Sequence, residues 1–226
     1  AIARGSFEYQ GQKCSAASRI YVSSNLWPEV KERLLAIVSE MRQGDVRDFS
    51  NFVSAVIDRR AYDKISGYVQ LAHDTATVLA GGTCDDATGF YIAPTVVQVD
   101  APDHRLMTEE VFGPLVSIFV FDEHQYEETL ALVDQTSPYA LPGAVFAQDR
   151  EVIAKTTAAL RQSAGNFYIN DKPSGAVVGQ QPFGGGRASG TNDKAGSILN
   201  LQRWVSPRSI KETFHPPHDW RYPFLG

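Results

Sequence analysis

Apolar residues recur along the chain with two spacings. Val30, Leu34, Ile37 and Met41 stand three or four apart, as one face of a helix does, and the stretch closes at Gly44. The SSNLWP segment ahead of them supplies capping residues and places Pro28 in the first turn. A second helix is expected after Asp58, where Ala61, Ile65, Tyr68 and Ala72 share a face. Tyr126, Leu130 and Val133 form a third stripe, and Val152, Thr156 and Leu160 a fourth behind Asp149 as N-cap. Between these lie short runs of strand character: Ile20 to Val22, TVLA before Gly81 and Gly82, GAVFAQ, and NFYIN. LVSIFVF, over 115–121, is continuously apolar, the pattern of a strand covered on both faces. YIAPTVVQV also reads as extended, but Pro94 predicts an edge or irregular strand. Strands alternating with helices predict parallel βαβ units, and so an α/β class.

Composition narrows the function classes. The chain has 226 residues, 43% of them hydrophobic, enough for a sizeable core. A net charge of -5 without any basic run gives no nucleic-acid footprint. No apolar run approaches the roughly 18 residues of a membrane span, and the first ten residues do not resemble a signal peptide. No nucleic-acid or membrane partner is therefore expected. The two cysteines, far apart and outside any ligand spacing, predict reduced thiols and no structural metal. The chain does not start with Met and opens like the end of a helix, which suggests a segment of a longer protein.

Three stretches are candidates for chemistry. In GQKCSAASR, Cys14 lies between Lys13 and Arg19, and positive charge favours the nucleophilic thiolate; the alternative is a small residue in a close-packed turn. Cys84, beside Asp85 and Asp86, is expected to be an exposed turn residue. In TEEVFGPL, a carboxylate from Glu109 and Glu110 suits a ribose diol and Phe112 a flat ring, although by themselves these residues read better as a solvated acidic pair beside a core aromatic. The third stretch, 171–196, is rich in glycine. Its GGG at 184–186 lacks the spacing of a phosphate loop, whereas Gly175 and Gly179 can let backbone N–H groups approach an anion. The five histidines are scattered and carry no assigned role.

Together, FEYQGQKCSAASRIYV, EEVFGPLVSIFVF and the glycine-rich loop resemble the catalytic half of the aldehyde dehydrogenase superfamily. NFYINDKPSGAVVGQQPFGGGRASGTNDKAG is similar to its 1-pyrroline-5-carboxylate (glutamate γ-semialdehyde) dehydrogenase branch, and IKE after WVSPRS resembles the family's C-terminal strand. The resemblance implies a three-layer α/β domain with a mostly parallel sheet over 1–204, and a C-terminal strand and arm over 205–226. It also implies NAD-dependent oxidation of glutamate γ-semialdehyde, an aldehyde carrying an α-carboxylate, in the mitochondrial matrix.

By the same resemblance Cys14 is the nucleophile and its N–H part of the oxyanion hole. Glu110 and Phe112 contact the nicotinamide end of NAD. Ser15, Gly175, Ala176 and Phe183 hold the substrate; Ala176 departs from relatives that carry serine there. The family's NAD-binding domain, its general-base glutamate and its oxyanion-hole asparagine match nothing in this chain, so NAD-dependent turnover by the chain alone is not expected. A homo-oligomer is expected. Two other readings remain open at this point: an interaction or oligomerisation module with an idle cysteine, and a dehydrogenase for another carboxylated aldehyde.

Overall fold

The computed structural model describes residues 1–226. In chain order the helices are α1 (Ile2–Phe7), α2 (Trp27–Glu40), α3 (Arg59–Thr75), α4 (Arg105–Thr108), α5 (Tyr126–Gln135), α6 (Arg150–Ala159) and α7 (Ile198–Leu201). The strands are β1 (Arg19–Ser23), β2 (Thr77–Ala80), β3 (Cys84–Asp85), β4 (Tyr91–Ile92), β5 (Thr95–Val99), β6 (Leu115–Phe121), β7 (Tyr139–Ala140), β8 (Pro142–Val145), β9 (Asn166–Ile169) and β10 (Gly186–Arg187).

Four strands form the main sheet in the order β1-β6-β5-β2. β6 pairs in parallel with β1 and with β5, and only β2 runs antiparallel, at the edge. The mixed, mostly parallel sheet agrees with the expected class. Its residues alternate between two cores, as successive strand side chains must. Val96, Val116 and Ile118 join Ala3 and Phe7 of α1 and Trp27, Leu34 and Val38 of α2 on one face. Val97, Val99 and Leu115 join Tyr62, Ile65, Val69 and Ala72 of α3 on the other. Helix, sheet and helix make the three layers. Burial on both faces explains why β6 is apolar except at Ser117: it is internal, with a helical layer on each side.

Several expectations need adjustment. α2 buries Trp27, Leu34 and Val38, while Ile37 is exposed; α3 buries Val69 ahead of Tyr68. In both helices the apolar residues span more of the circumference than the packing surface uses. Pro94 does not confine β5 to an edge, because it precedes the first paired residue, Thr95, and its missing N–H withdraws nothing from the ladder. Leu26 rather than a serine occupies the N-cap of α2, with no side-chain cap; Asp149 caps α6 as predicted, and Asp58, after which a helix was expected, caps α3. Cys84 is half-buried in β3, paired with Ile92 and packed on the α3 core, and not an exposed turn residue.

β8 and β9 form a separate parallel pair, and β7 pairs with β10. Residues 201–226 are exposed throughout, and no strand forms at 210–212, where the resemblance led one to expect it. No helix is long and apolar enough to cross a membrane.

Ile118, at the centre of β6, is fully buried in the core shared with α1 and α2. Truncating it to alanine should cost about 2 to 5 kcal/mol, read from the urea midpoint; an unchanged midpoint would contradict this assignment of the core.

Candidate active site

The chain enters the site through a left-handed stretch. After α1, Tyr9, Gln10 and Gly11 take φ of 55°, 57° and 64°, turning the backbone sharply before Cys14. Gly11 is required there twice over. Besides its positive φ, a Cβ on it would lie 2.3 Å from the carbonyl oxygen of Gly113. Gly113 in turn has no room for a side chain, since its Cβ would meet the end of Ile65 at 2.6 Å. The two glycines therefore draw the cysteine segment against the segment of Glu110 and Phe112. Further on, Ser117 N–H donates to Ser18 O at 2.9 Å and continues this juxtaposition into the β1–β6 ladder.

Cys14 and Ser15 occupy the centre of a turn closed by Ala16 N–H to Lys13 O at 3.1 Å. The Cys14 sulfur is exposed, whereas Ser15 is buried. The N–H of Cys14 has no acceptor within the chain. Neither flanking cation is free to serve the sulfur, contrary to expectation. Lys13 donates to Glu8 Oε2 at 2.8 Å, and Arg19 Nη1 donates to Met107 O at 3.1 Å. Burial also pushes the Arg19 guanidinium down from its ordinary pKa. What the structure leaves at the sulfur is access and uncommitted backbone donors.

The two glutamates divide as adjacent residues on extended chain do. Glu109 is engaged by Arg105 at 2.9 Å through both oxygens and by the Tyr68 hydroxyl at 2.8 Å; the Arg105 guanidinium first, then Tyr68, hold its carboxyl below the usual range. Glu110 is held only by its backbone, its carbonyl accepting from Lys64 Nζ at 2.8 Å. Its carboxylate has no partner in the chain and is exposed. Phe112, at φ 60°, turns an exposed ring out beside it.

The glycine-rich loop reaches the same region at its start. Gly5 of α1 is buried, and a Cβ there would touch Ala17, Lys172 and Pro173 at 3.5, 3.6 and 3.7 Å. The chain thus passes from Lys172 into Gly175 alongside the cysteine segment. Gly175 has φ 78°, and the N–H groups of Gly175 and Ala176 meet no acceptor in the chain.

A family model described as the aldehyde dehydrogenase family matches residues 1–210. The chain belongs to the aldehyde dehydrogenase family. It is similar to the mitochondrial delta-1-pyrroline-5-carboxylate dehydrogenase of Dictyostelium discoideum, at 51% identity over 98% of this chain and 40% of that protein. The human protein of that name is 50% identical over the same 98% and 40%. A crystal structure of the delta-pyrroline-5-carboxylate dehydrogenase from Mycobacterium tuberculosis bound with NAD aligns at a TM-score of 0.85 and 48% identity, covering 100% of this chain and 41% of its own. A Thermus 1-pyrroline-5-carboxylate dehydrogenase with bound NAD aligns at 0.80 and 32%, covering 89% of this chain and 38% of its own. The chain thus spans about 40% of the length of the relatives it matches.

In this aldehyde dehydrogenase chain the predicted residues do not all converge by direct contact. The segments that carry Cys14 and Ser15, Glu110 and Phe112, and Gly175 and Ala176 approach one another at Gly5, Gly11 and Gly113. Phe183 is fixed separately, through reciprocal backbone bonds with Ala195 at 2.9 and 2.7 Å. Asn166 straddles it, donating to Pro182 O at 3.2 Å and accepting from Gly184 N–H at 3.1 Å. Gly184 and Gly185 serve packing: a Cβ on Gly184 would meet Asn192 Oδ1 at 3.1 Å, and one on Gly185 would strike Leu141 Cα at 2.7 Å, whereas Gly186 faces open space. Sequence reading missed Glu8, Lys172 and Asn166. Only Glu8 carried a signal, an acid five residues before Lys13.

Gly11→Ala should destabilise the protein by at least about 2 kcal/mol, from left-handed strain plus the clash with Gly113; an unaltered denaturation midpoint would refute the contact. Glu8 gives a pH prediction. Its carboxyl is held below the ordinary range, first by the Lys13 hydrogen bond. Its stabilisation is therefore present above about pH 4.3, the unfolded value, and lost as pH falls through the lower folded value. Stability measured from pH 5 downward should fall less steeply in Glu8→Gln; identical slopes would dismiss the ion pair.

Proposed function

We propose that this chain is the cysteine-bearing portion of an NAD-dependent dehydrogenase that oxidises L-glutamate γ-semialdehyde, the open form of 1-pyrroline-5-carboxylate, to L-glutamate. One observation supports the reading: an exposed cysteine and two sets of uncommitted backbone donors, one at its own N–H and one at Gly175 and Ala176, lie on segments that meet at Gly5. The names of the relatives supply the substrate.

The arrangement suits capture of an aldehyde that carries a carboxylate. The Cys14 thiolate attacks the carbonyl carbon, forming the C–S bond and moving the carbonyl π pair onto oxygen as an alkoxide. The free Cys14 N–H is positioned to receive that charge without reorganisation. At the other end of the substrate, the N–H groups of Gly175 and Ala176 with the Ser15 hydroxyl receive the carboxylate. Because the donors at Ala176 are backbone, alanine there costs the anchor only a hydroxyl. Phe183, held by Ala195 and Asn166, supplies an apolar wall for the methylene groups. Splitting the oxidation through a cysteine adduct and a thioester lowers the barrier of each step.

The residues present also fit NAD. Glu110 would offer its partnerless carboxylate to a ribose diol, and Phe112 its exposed ring to the nicotinamide end. When bound, NAD supplies the hydride acceptor. The group that activates the hydrolytic water and the asparagine of the oxyanion hole have no counterpart in this chain, and belong to another part of the full protein. Residues 1–204 are taken as the catalytic domain and 205–226 as an arm that meets another copy in a homo-oligomer. A mitochondrial matrix location follows the names of the mitochondrial relatives.

A second reading, a dehydrogenase for another carboxylated aldehyde, draws on the likeness to the gamma-glutamyl-gamma-aminobutyraldehyde dehydrogenase of Burkholderia cenocepacia, at 29% identity and a TM-score of 0.76. The test joins the chain to the rest of its protein and assays glutamate semialdehyde with NAD. Turnover is expected, and Cys14→Ser should reduce it more than about a thousandfold. A folded protein that oxidises other aldehydes but not this one would overturn the substrate assignment.

A further inference from the structure

Glu8 is the centre of a charged cluster that the reaction above does not use. Its Oε2 accepts from Lys13 Nζ at 2.8 Å and lies 4.0 Å from Lys172 Nζ. The three side chains are largely shielded, at 27% exposure for Lys13, 21% for Lys172 and 28% for Glu8. Arg4 reaches Oε1 at 3.6 Å from a guanidinium that is 68% exposed and faces water. Asp171, also exposed, accepts from the backbone N–H of Lys172 at 2.7 Å and forms no ion pair with either ammonium. One carboxylate is therefore shared by two shielded ammonium groups. Lys13 takes the hydrogen bond, and Lys172 is left under-neutralised.

That residual charge has a definite address. Lys172 Nζ donates to Ser174 O at 2.7 Å, and a Cβ on Gly175 would lie 2.8 Å from it. The ammonium thus sits directly against the backbone whose free N–H groups are those of Gly175 and Ala176. Backbone donors fix direction at short range, while a net charge in a partly dry setting acts over several ångströms and draws ions of opposite sign.

We propose that Lys172 is a specificity-determining charge of this site: its ammonium, seated behind the 175–176 segment, selects aldehydes that bear a carboxylate, and Glu8 sets its strength by sharing one negative charge between Lys172 and Lys13. The inference deepens the proposed function and rests on it. A substrate carboxylate at Gly175 and Ala176 completes the neutralisation that Glu8 provides only in part. An uncharged aldehyde gains nothing from the lysine.

The experiment uses the full-length protein that carries this chain. Lys172→Met and Lys172→Arg are compared with the unaltered protein on glutamate semialdehyde and on pentanal, at low and at raised salt. Lys172→Met should raise KM for the acidic aldehyde about fivefold, the scale of one partly exposed charge contact, with its kcat and the KM for pentanal unchanged. Lys172→Arg, which keeps the charge, should restore the lower KM. Added salt should erode the preference of the unaltered protein and leave that of Lys172→Met alone. Equal effects on both aldehydes, or an arginine variant as poor as the methionine one, would overturn the proposal. Lys172→Gln replaces the methionine variant if that fails to fold. If the unaltered protein does not oxidise glutamate semialdehyde, the failure is that of the proposed function. Inhibition of pentanal oxidation by glutarate then reads the lysine directly: unchanged inhibition in Lys172→Met overturns the charge assignment, and weaker inhibition sustains it.

Discussion

The site depends on one steric constraint, the approach of Gly11 to the carbonyl of Gly113. A carbonyl oxygen occupies the space where any other residue at 11 would carry its Cβ, so the two segments meet at backbone distance. Everything chemical is referred to that meeting. Upstream lies the left-handed stretch of Tyr9 and Gln10, two non-glycine residues in sparsely populated backbone geometry that only strong surrounding contacts sustain. Downstream, the Cys14 turn and the β1–β6 ladder take their register from it. Glu110 and Phe112 stand three and one residues before Gly113, and so inherit their placement from the same contact.

Around this joint the structure separates binding groups from fastening groups. Glu109, with Arg105 and Tyr68, fastens its loop to α3, and Lys64 fastens the backbone of Glu110. The side chain of Glu110 stays free because its neighbour does the anchoring. Glu8 works similarly on the other side of the cysteine, tying Lys13 near the end of one segment and facing Lys172 at the start of another. Asn166 holds the backbone on both sides of Phe183 and leaves the ring itself uncommitted.

The layered α/β architecture was legible because β6 is apolar but for Ser117 and α2 and α3 carry long stripes, patterns that follow from burial alone. The precise faces were less so: the apolar surface of α2 is broad enough to include Ile37, and only the position of the sheet shows that Val38 lies inward. Pro94 misled because its consequence depends on whether it stands in or before the ladder, which one residue decides. At the site, Cys14, Glu110 and the glycines could be singled out by type and neighbours. The commitment of Lys13 to Glu8 and of Arg19 to Met107 could not, since sequence proximity to the sulfur says nothing about where a long side chain points. Asn166 and Lys172 lacked any local pattern, because their partners are defined by the tertiary path of the 172–195 loop.

The backbone at Phe112 carries a consequence for divergence. Its positive φ excludes the β-branched amino acids, whose second Cβ substituent crowds the main chain in that conformation. Valine, isoleucine and threonine are thereby barred on backbone grounds alone, whatever molecule the ring meets. Unbranched side chains remain possible, as Gln10, Arg187 and Lys194 show at φ of 57°, 53° and 58°, so folding narrows the permitted alphabet at this codon against branching at Cβ before any selection on ligand acts.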